Sequence, residues 1–354
     1  MAGKRQHILP RFLLKGFFSR VQAESVFAWA YRKGGKPFET NIEKISVEKH
    51  FYGKEGELSA DNEITNLESG YADLIDTLRG ENDGTHVSDP KVASFIAHLI
   101  IRTKNLRQSF RESTEYLLDE VTEYLSDFGN LKKLLLNNPE LMKEELVKIL
   151  KDIPVPDWQK GMLLELMSQY APALMDEQKP ELQIMMQGLV DEVKAILPKA
   201  VREGHIKSLA KNPIPKPRAD EYSELKWFIC ETDQTLILGD TGCLFEVLGK
   251  RRYKSIDDKG DKITNIFLPI AAHKLLLGTC FSTTPHINFK SINKAMARCS
   301  YEYFICSESS PDKIALTSLI GDSAGILTDM EKEQLLREII RDIESGSFGK
   351  TTDS

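Results

Sequence analysis

No apolar run in the 354-residue chain approaches the roughly 20 residues needed to cross a bilayer. The longest candidate, Phe95 to Ile101, is too short and ends at Arg102. Cysteine is scarce: Cys230, Cys243, Cys280, Cys299 and Cys306 form an odd set with no Cys-x-x-Cys spacing. That pattern fits neither a disulfide framework nor a zinc site, and it points to a reducing cytoplasm. Most of these thiols sit among apolar or β-type neighbours, where a reduced cysteine acts as a small core residue; a reactive thiol is the alternative. Positive charge is not in excess. A net charge of −6 argues against coating nucleic acid by charge alone, while leaving a local basic groove open. Phosphate-loop, dinucleotide, nucleophile-elbow and His-Glu-x-x-His motifs are absent, and no metal-ligand cluster has convincing spacing. The opening Met1 to His7 leads into a short apolar stretch broken by Pro10, Arg11 and Lys15, so a signal-peptide core and export are not expected.

What is present is ordinary globular chemistry, with 41% apolar and 28% charged residues, which argues against disorder over most of the length. A chain this long favours two packed sub-domains. Residues 1–60 read as an N-terminal cap. Pro10 opens and Gly16 closes a short helix, and β-type residues from Val26 to Tyr31 stop at Lys33-Gly-Gly-Lys36. Residues 61–212 read as a helical domain. Ile64, Leu67, Tyr71, Leu74 and Leu78 form one apolar stripe, and the strongest helix spans about Pro90 to Phe128. Shorter helices follow Pro139 and surround Trp158 to Tyr170, and a longer one runs from about Pro180 to Ala210 with an interruption at Pro198; these dimensions suggest a bundle. The prolines of Asn212-Pro-Ile-Pro-Lys-Pro217 exclude helix and mark a connector. Residues 218–346 read as an α+β domain with strands near 225–231, 235–238, 243–248, 263–268, 275–280 and 301–306. Thr328 and Glu331 open a final helix with a capping box, and residues 347–354 form a frayed tail. The fold class is therefore α+β: a helical bundle in the middle, with a mixed or antiparallel sheet from the C-terminal part and the N-terminal strands.

Several polar residues invite two readings each. His7, three residues before Pro10, is an acid, base or ligand, or else a capping or surface histidine. Glu63 and Glu68 lie about 140° apart on a helix, and only Glu68, beside Leu67 and Tyr71, has an inward direction. His98 and Arg102 are four apart and share a face bordered by Phe95, Leu99 and Ile101. A buried arginine there needs a carboxylate or phosphate partner; the alternative is a stem that snorkels outward. Asp240 sits in a tight turn, Gly239-Asp-Thr-Gly242, ahead of Glu246 and Lys250. The layout resembles a restriction-endonuclease-like metal site, but the lysine lies four residues beyond the acid rather than two, which fits a plain hairpin better. Lys250-Arg-Arg-Tyr-Lys254 is a basic cluster suited to phosphate, or a solvated loop neutralised by Asp257, Asp258 and Asp261.

Taken together, several stretches resemble the bacterial domain of unknown function 4238 family. The opening Gln6-His-Ile-Leu-Pro-Arg-Phe-Leu-Leu-Lys-Gly-Phe17 is similar to its signature of His, Pro and an aromatic-Leu-x-x-x-Phe run. Phe27 to Lys33, Phe51-Tyr52, Ile64 to Glu68, Ile101-Arg-Thr103, Gly239-Asp240, Phe267-Leu-Pro-Ile270, and Ile292-Asn293 with Ala297 resemble later blocks. Thr241-Gly242 stands where members usually carry a proline. The resemblance directs attention to His7, Glu68, Arg102, Asp240 and Asn293. One implied function is a hydrolase of phosphate esters or nucleic acid, a nuclease included. His7 would then serve as acid or base, Glu68 and Asp240 as bases or ligands of a divalent cation, and Arg102 and Asn293 as binders of an anionic nucleic acid or nucleotide. The alternative is a non-catalytic binding or scaffold protein in which these groups form a buried network.

Overall fold

The structure is a computed structural model that describes residues 5–54, 59–138, 147, 156–177, 179–249, 251–258 and 260–346. The expected helix after Pro139 falls almost wholly outside them. The architecture is α+β, and the chain separates into two compact units: residues 1–110 with 200–326, and residues 111–199 with 327–354.

Among the described residues, the first unit holds all the sheets. It begins with β1 (Arg5–His7), helix α1 (Arg11–Leu14), β2 (Arg20–Gln22), β3 (Ser25–Arg32), β4 (Phe38–Asn41) and β5 (Val47–Lys49), followed by helix α2 (Asp61–Gly80) and β6 (His86–Val87). Pro10 precedes α1, and Gly16 follows it in a 3-10 turn. A Cβ on Gly16 would lie 2.2 Å from the Ile270 carbonyl oxygen, so only glycine fits there. Helices α3 (Lys91–Ile101) and α4 (Lys104–Ser126) divide what the apolar periodicity suggests is one helix. The break has a local cause: Thr103 Oγ1 accepts from the Leu106 amide at 3.2 Å, an N-cap bond that starts α4 afresh. Helices α5 (Phe128–Asn137), α6 (Asp157–Glu177) and α7 (Lys179–Lys211) follow; α7 runs through Pro198, where an interruption was expected. Helix α8 (Lys216–Ser223) starts inside the proline run, with Pro217 in its first turn, where a missing N–H costs nothing.

The C-terminal strands form near the positions their alternation suggests: β7 (Lys226–Glu231), β8 (Leu238–Gly239), β9 (Leu244–Leu248), β10 (Tyr253–Lys254), β11 (Lys262–Ala271) and β12 (Lys274–Thr279). Helix α9 (Phe289–Cys299), strand β13 (Tyr303–Cys306) and helices α10 (Pro311–Leu316) and α11 (Asp329–Ser345) complete the order. A six-stranded antiparallel sheet runs β10-β9-β11-β12-β7-β6, and a second runs β2-β3-β13-β8 with β4 on β3. Strands β1 and β5 pair separately. The main core gathers Leu9, Leu13 and Phe17 with α3, the long sheet and α9. A smaller core of Ile8, Phe51, Tyr52, Ala60, Ile64 and Leu209 lies beside it.

The second unit is helical, built from the later part of α4, α5, α6, most of α7, and α11. The Thr328–Glu331 capping box is formed, and Gly346 ends α11 with φ 70°. Tyr124 Oη donates to Glu344 Oε1 at 2.9 Å, and Lys194 pairs with Asp119.

Candidate functional site

Arg102 is the centre of the polar chemistry in the first unit. It follows the last residue of α3 and is 1% exposed, with its guanidinium carbon 5.3 Å from the centre of the Tyr52 ring of the small core. Because a guanidinium stays charged, its fork must be answered by acceptors. Nε donates to Tyr52 Oη at 2.9 Å and Nη2 to the His7 carbonyl at 2.7 Å. Nη1 meets His98 Nε2 at 3.2 Å and lies 2.7 Å from Glu68 Oε1. The Glu68 contact is an ion pair set off the N–H direction, since Oε1 has no aligned hydrogen-bond donor.

The histidine tautomer follows from its partners. His98 Nδ1 lies 2.7 Å from the Pro213 carbonyl, which can only accept, so Nδ1 carries the proton and Nε2 receives Arg102. Burial, reinforced by the Arg102 charge, pushes His98 down to about 3, against the Pro213 bond, and keeps it neutral. Burial also pushes the Tyr52 hydroxyl up to about 12. Gln6 holds the β1 segment to the same place: its Oε1 accepts from the Tyr52 amide at 2.7 Å and its Nε2 donates to Gly53 O at 3.1 Å. A second arginine–histidine pair stands alongside. Arg107 donates from Nε to His205 Nδ1 at 3.0 Å and from Nη2 to Phe51 O at 2.9 Å, while His205 Nε2 meets Ile101 O at 2.7 Å. Burial and the Arg107 charge lower His205 to about 4.

The structure thus brings together His7, Glu68 and Arg102, but His7 enters through its backbone carbonyl. Its imidazole Nε2 is buried without a partner, and burial, with Arg11 and Arg102, lowers it to about 4. Asp240 and Asn293 have other partners. The Asp240 carboxylate accepts from the amides of Tyr301 (2.7 Å), Glu302 (2.6 Å) and Tyr303 (3.1 Å). Burial raises it to about 6 against those three donors, so the anion is the form held at neutral pH. It backs a cavity of only about 100 Å³ with Lys44, Ser46 and Lys104. The Asn293 amide receives the Ile237 amide at 3.0 Å and donates to Thr235 O at 3.0 Å, tying α9 to the segment before β8. Glu63 is an exposed first-turn acid of α2.

The basic cluster also resolves by residue, except Lys250, which falls outside the described residues. Lys254 Nζ pairs with Asp258 at 2.8 Å and Asp261 at 2.9 Å. Glu246 receives Arg252 at 2.5 Å, and Arg251 spends its fork on the carbonyls of Ser323, Gly325 and Ile326. Tyr52, Gln6, Arg107 and His205 had no individual signal in the sequence; only the Phe51-Tyr52 aromatic pair hinted at the place. Among the described residues no group of three or more His, Cys, Asp and Glu could hold a metal ion, and no helix is long and apolar enough to cross a membrane.

Compared with known proteins, a family model described as Protein of unknown function (DUF4238) matches residues 5–310. No curated protein and no solved structure matches the chain.

Proposed function

The chain belongs to the DUF4238 family, proteins of unknown function, and from that premise we propose a non-catalytic binding protein whose buried polar residues are architecture. The observation that carries this reading is the burial of Arg102 among partners from the chain, at 1% exposure. Each nitrogen of its fork is taken by a group of the chain itself, leaving no face for an anionic substrate. Asp240 is consumed in the same way by three amides and Asn293 by two backbone groups. Removing one member of such a set strands the others in low dielectric, so its residues answer to stability.

The test pairs stability with activity in the same variants. Arg102→Met and Asp240→Asn are expected to lower the unfolding midpoint. RNA, DNA and nucleotides, offered with and without divalent cations, are expected to remain unhydrolysed by the parent chain. Hydrolysis that His7→Ala abolishes while leaving the unfolding midpoint in place would overturn the reading.

One observation favours hydrolysis of phosphate esters or nucleic acid as a second reading. The His7 Nε2 is neutral and unpartnered, and Glu68, which shares Arg102 with the His7 carbonyl, is partly open to solvent, 28% exposed. A neutral imidazole and a carboxylate gathered at one arginine are the raw material of general-base chemistry. That reading predicts activity with an acidic limb set by His7 and lost in both His7→Ala and Glu68→Gln.

A further inference from the structure

Away from Arg102, the end of the long sheet carries a polar row that the network does not use. Tyr253 on β10, Glu246 on β9 and Asn265 on β11 are cross-strand neighbours. A bulge at Thr264 sets Asn265 directly opposite Glu246, the kind of irregularity that re-aims side chains beside binding sites. Glu246 is 8% exposed and Asn265 5%. Asn265 Nδ2 donates to Glu246 Oε2 at 2.5 Å, which fixes the amide's orientation because a carboxylate only accepts. The other end, Asn265 Oδ1, is a buried acceptor with no donor. These residues line a cleft of about 660 Å³, walled by Phe281, His286 and the start of α9. That size suits a small ligand.

A second cavity of about 550 Å³ adjoins it, sharing Arg252, Tyr253 and Ser291. Its walls have the opposite character. Ser291, Lys294 and Arg298 recur along one face of α9, opposite Arg251 and Arg252, and no carboxylate lines it. Among the described residues, Arg251 is held by three backbone carbonyls rather than an acid, and no carboxylate pairs with Lys294 or Arg298.

A ligand filling both must present hydrogen-bond donors and a flat face at one end, and an anion at the other. A purine nucleotide does so: its base stacks against aromatic rings, and its phosphate meets arginine and lysine. The buried acceptors on Glu246 and Asn265 discriminate between purines. Guanine offers adjacent donors, its ring N–H and exocyclic amine, whereas adenine puts a ring acceptor beside its amine. We propose that the groove between α9 and the β10–β9–β11 edge is a guanine-nucleotide site, with Glu246 and Asn265 reading the base and Lys294 and Arg298 holding the phosphate. The inference supplies a ligand for the binding protein proposed above and rests on that reading only for the absence of turnover.

The experiment is calorimetric titration of the full chain with GMP, AMP and inorganic phosphate. GMP is expected to bind, with AMP and phosphate each at least about tenfold weaker. The exposed double variant Lys294→Glu/Arg298→Glu is expected to lose at least about tenfold in GMP affinity with no change in unfolding midpoint. Glu246→Gln narrows the preference for GMP over AMP. The proposal is overturned by an absence of GMP binding at millimolar ligand, by equal affinity for GMP and AMP, or by charge-reversed helix residues that leave binding intact. None of these failures touches the Arg102 stability result, so the two readings fall separately.

Discussion

Replacing Arg102 with methionine tests the network at its most connected atom set. The substitution keeps an unbranched apolar stem of similar reach but removes every donor. His98 Nε2, Tyr52 Oη and the His7 carbonyl each lose a bond, and Glu68 loses its ion-pair partner. A buried group left unsatisfied costs about 1–3 kcal/mol, but the losses are not additive, since Tyr52 Oη still donates to the His7 carbonyl at 3.1 Å and Glu68 can reach water. Breaking a buried charged pair by removing one partner costs about 3–5 kcal/mol, and that is the expected loss. Arg102→Lys keeps the charge but not the planar fork, so roughly half that loss is expected. Urea unfolding followed by tryptophan fluorescence is the assay, because Trp29 and Trp227 both lie in the first unit. A loss below about 1 kcal/mol for Arg102→Met would refute the reasoning, because surface substitutions free of such features already sit within that range.

Three further outcomes follow from the same geometry. Stability should fall as pH drops from about 6.5, because the unfolded chain takes up protons there while His98, held near 3, and His7 and His205, held near 4, do not. Each such imidazole contributes up to about 1.4 kcal/mol per pH unit across that window, and identical urea midpoints at pH 6.5 and 5 would contradict it. Asp240→Asn replaces an acceptor oxygen with a donor facing the amides of residues 301–303, for a loss of about 2–3 kcal/mol readable as a lowered thermal midpoint. Thr103→Val removes the cap that separates α3 from α4, and should cost about 1 kcal/mol in urea unfolding.

The strands and the final capping box were legible because alternation and the Thr-x-x-Glu signal are local. Arg102 was legible as a conflict between charge and apolar neighbours, and Glu68 as the acid with an inward direction. Their partners were less so. The acceptor from His7 is a backbone carbonyl, which every residue possesses and no composition reveals, while its side chain drew the attention. Asp240 could be read as a turn residue, but the three amides it receives lie some sixty positions away, beyond any local pattern. The helix break at Thr103 was hidden by an apolar period that continues across it, since a cap needs only one hydroxyl. Prolines 213, 215 and 217 suggested an extended connector; the last of them instead seats in the first turn of α8, where helix tolerates it.

The central claim is that the buried imidazoles around Arg102 are neutral parts of the architecture rather than groups poised to move protons. Heteronuclear NMR titration of the seven histidines tests it directly. The account predicts His98 as the Nδ1–H tautomer, with both it and His7 unprotonated down to about pH 5. An ordinary midpoint near 6.5 for either ring, or an Nε2–H tautomer at His98, would contradict it.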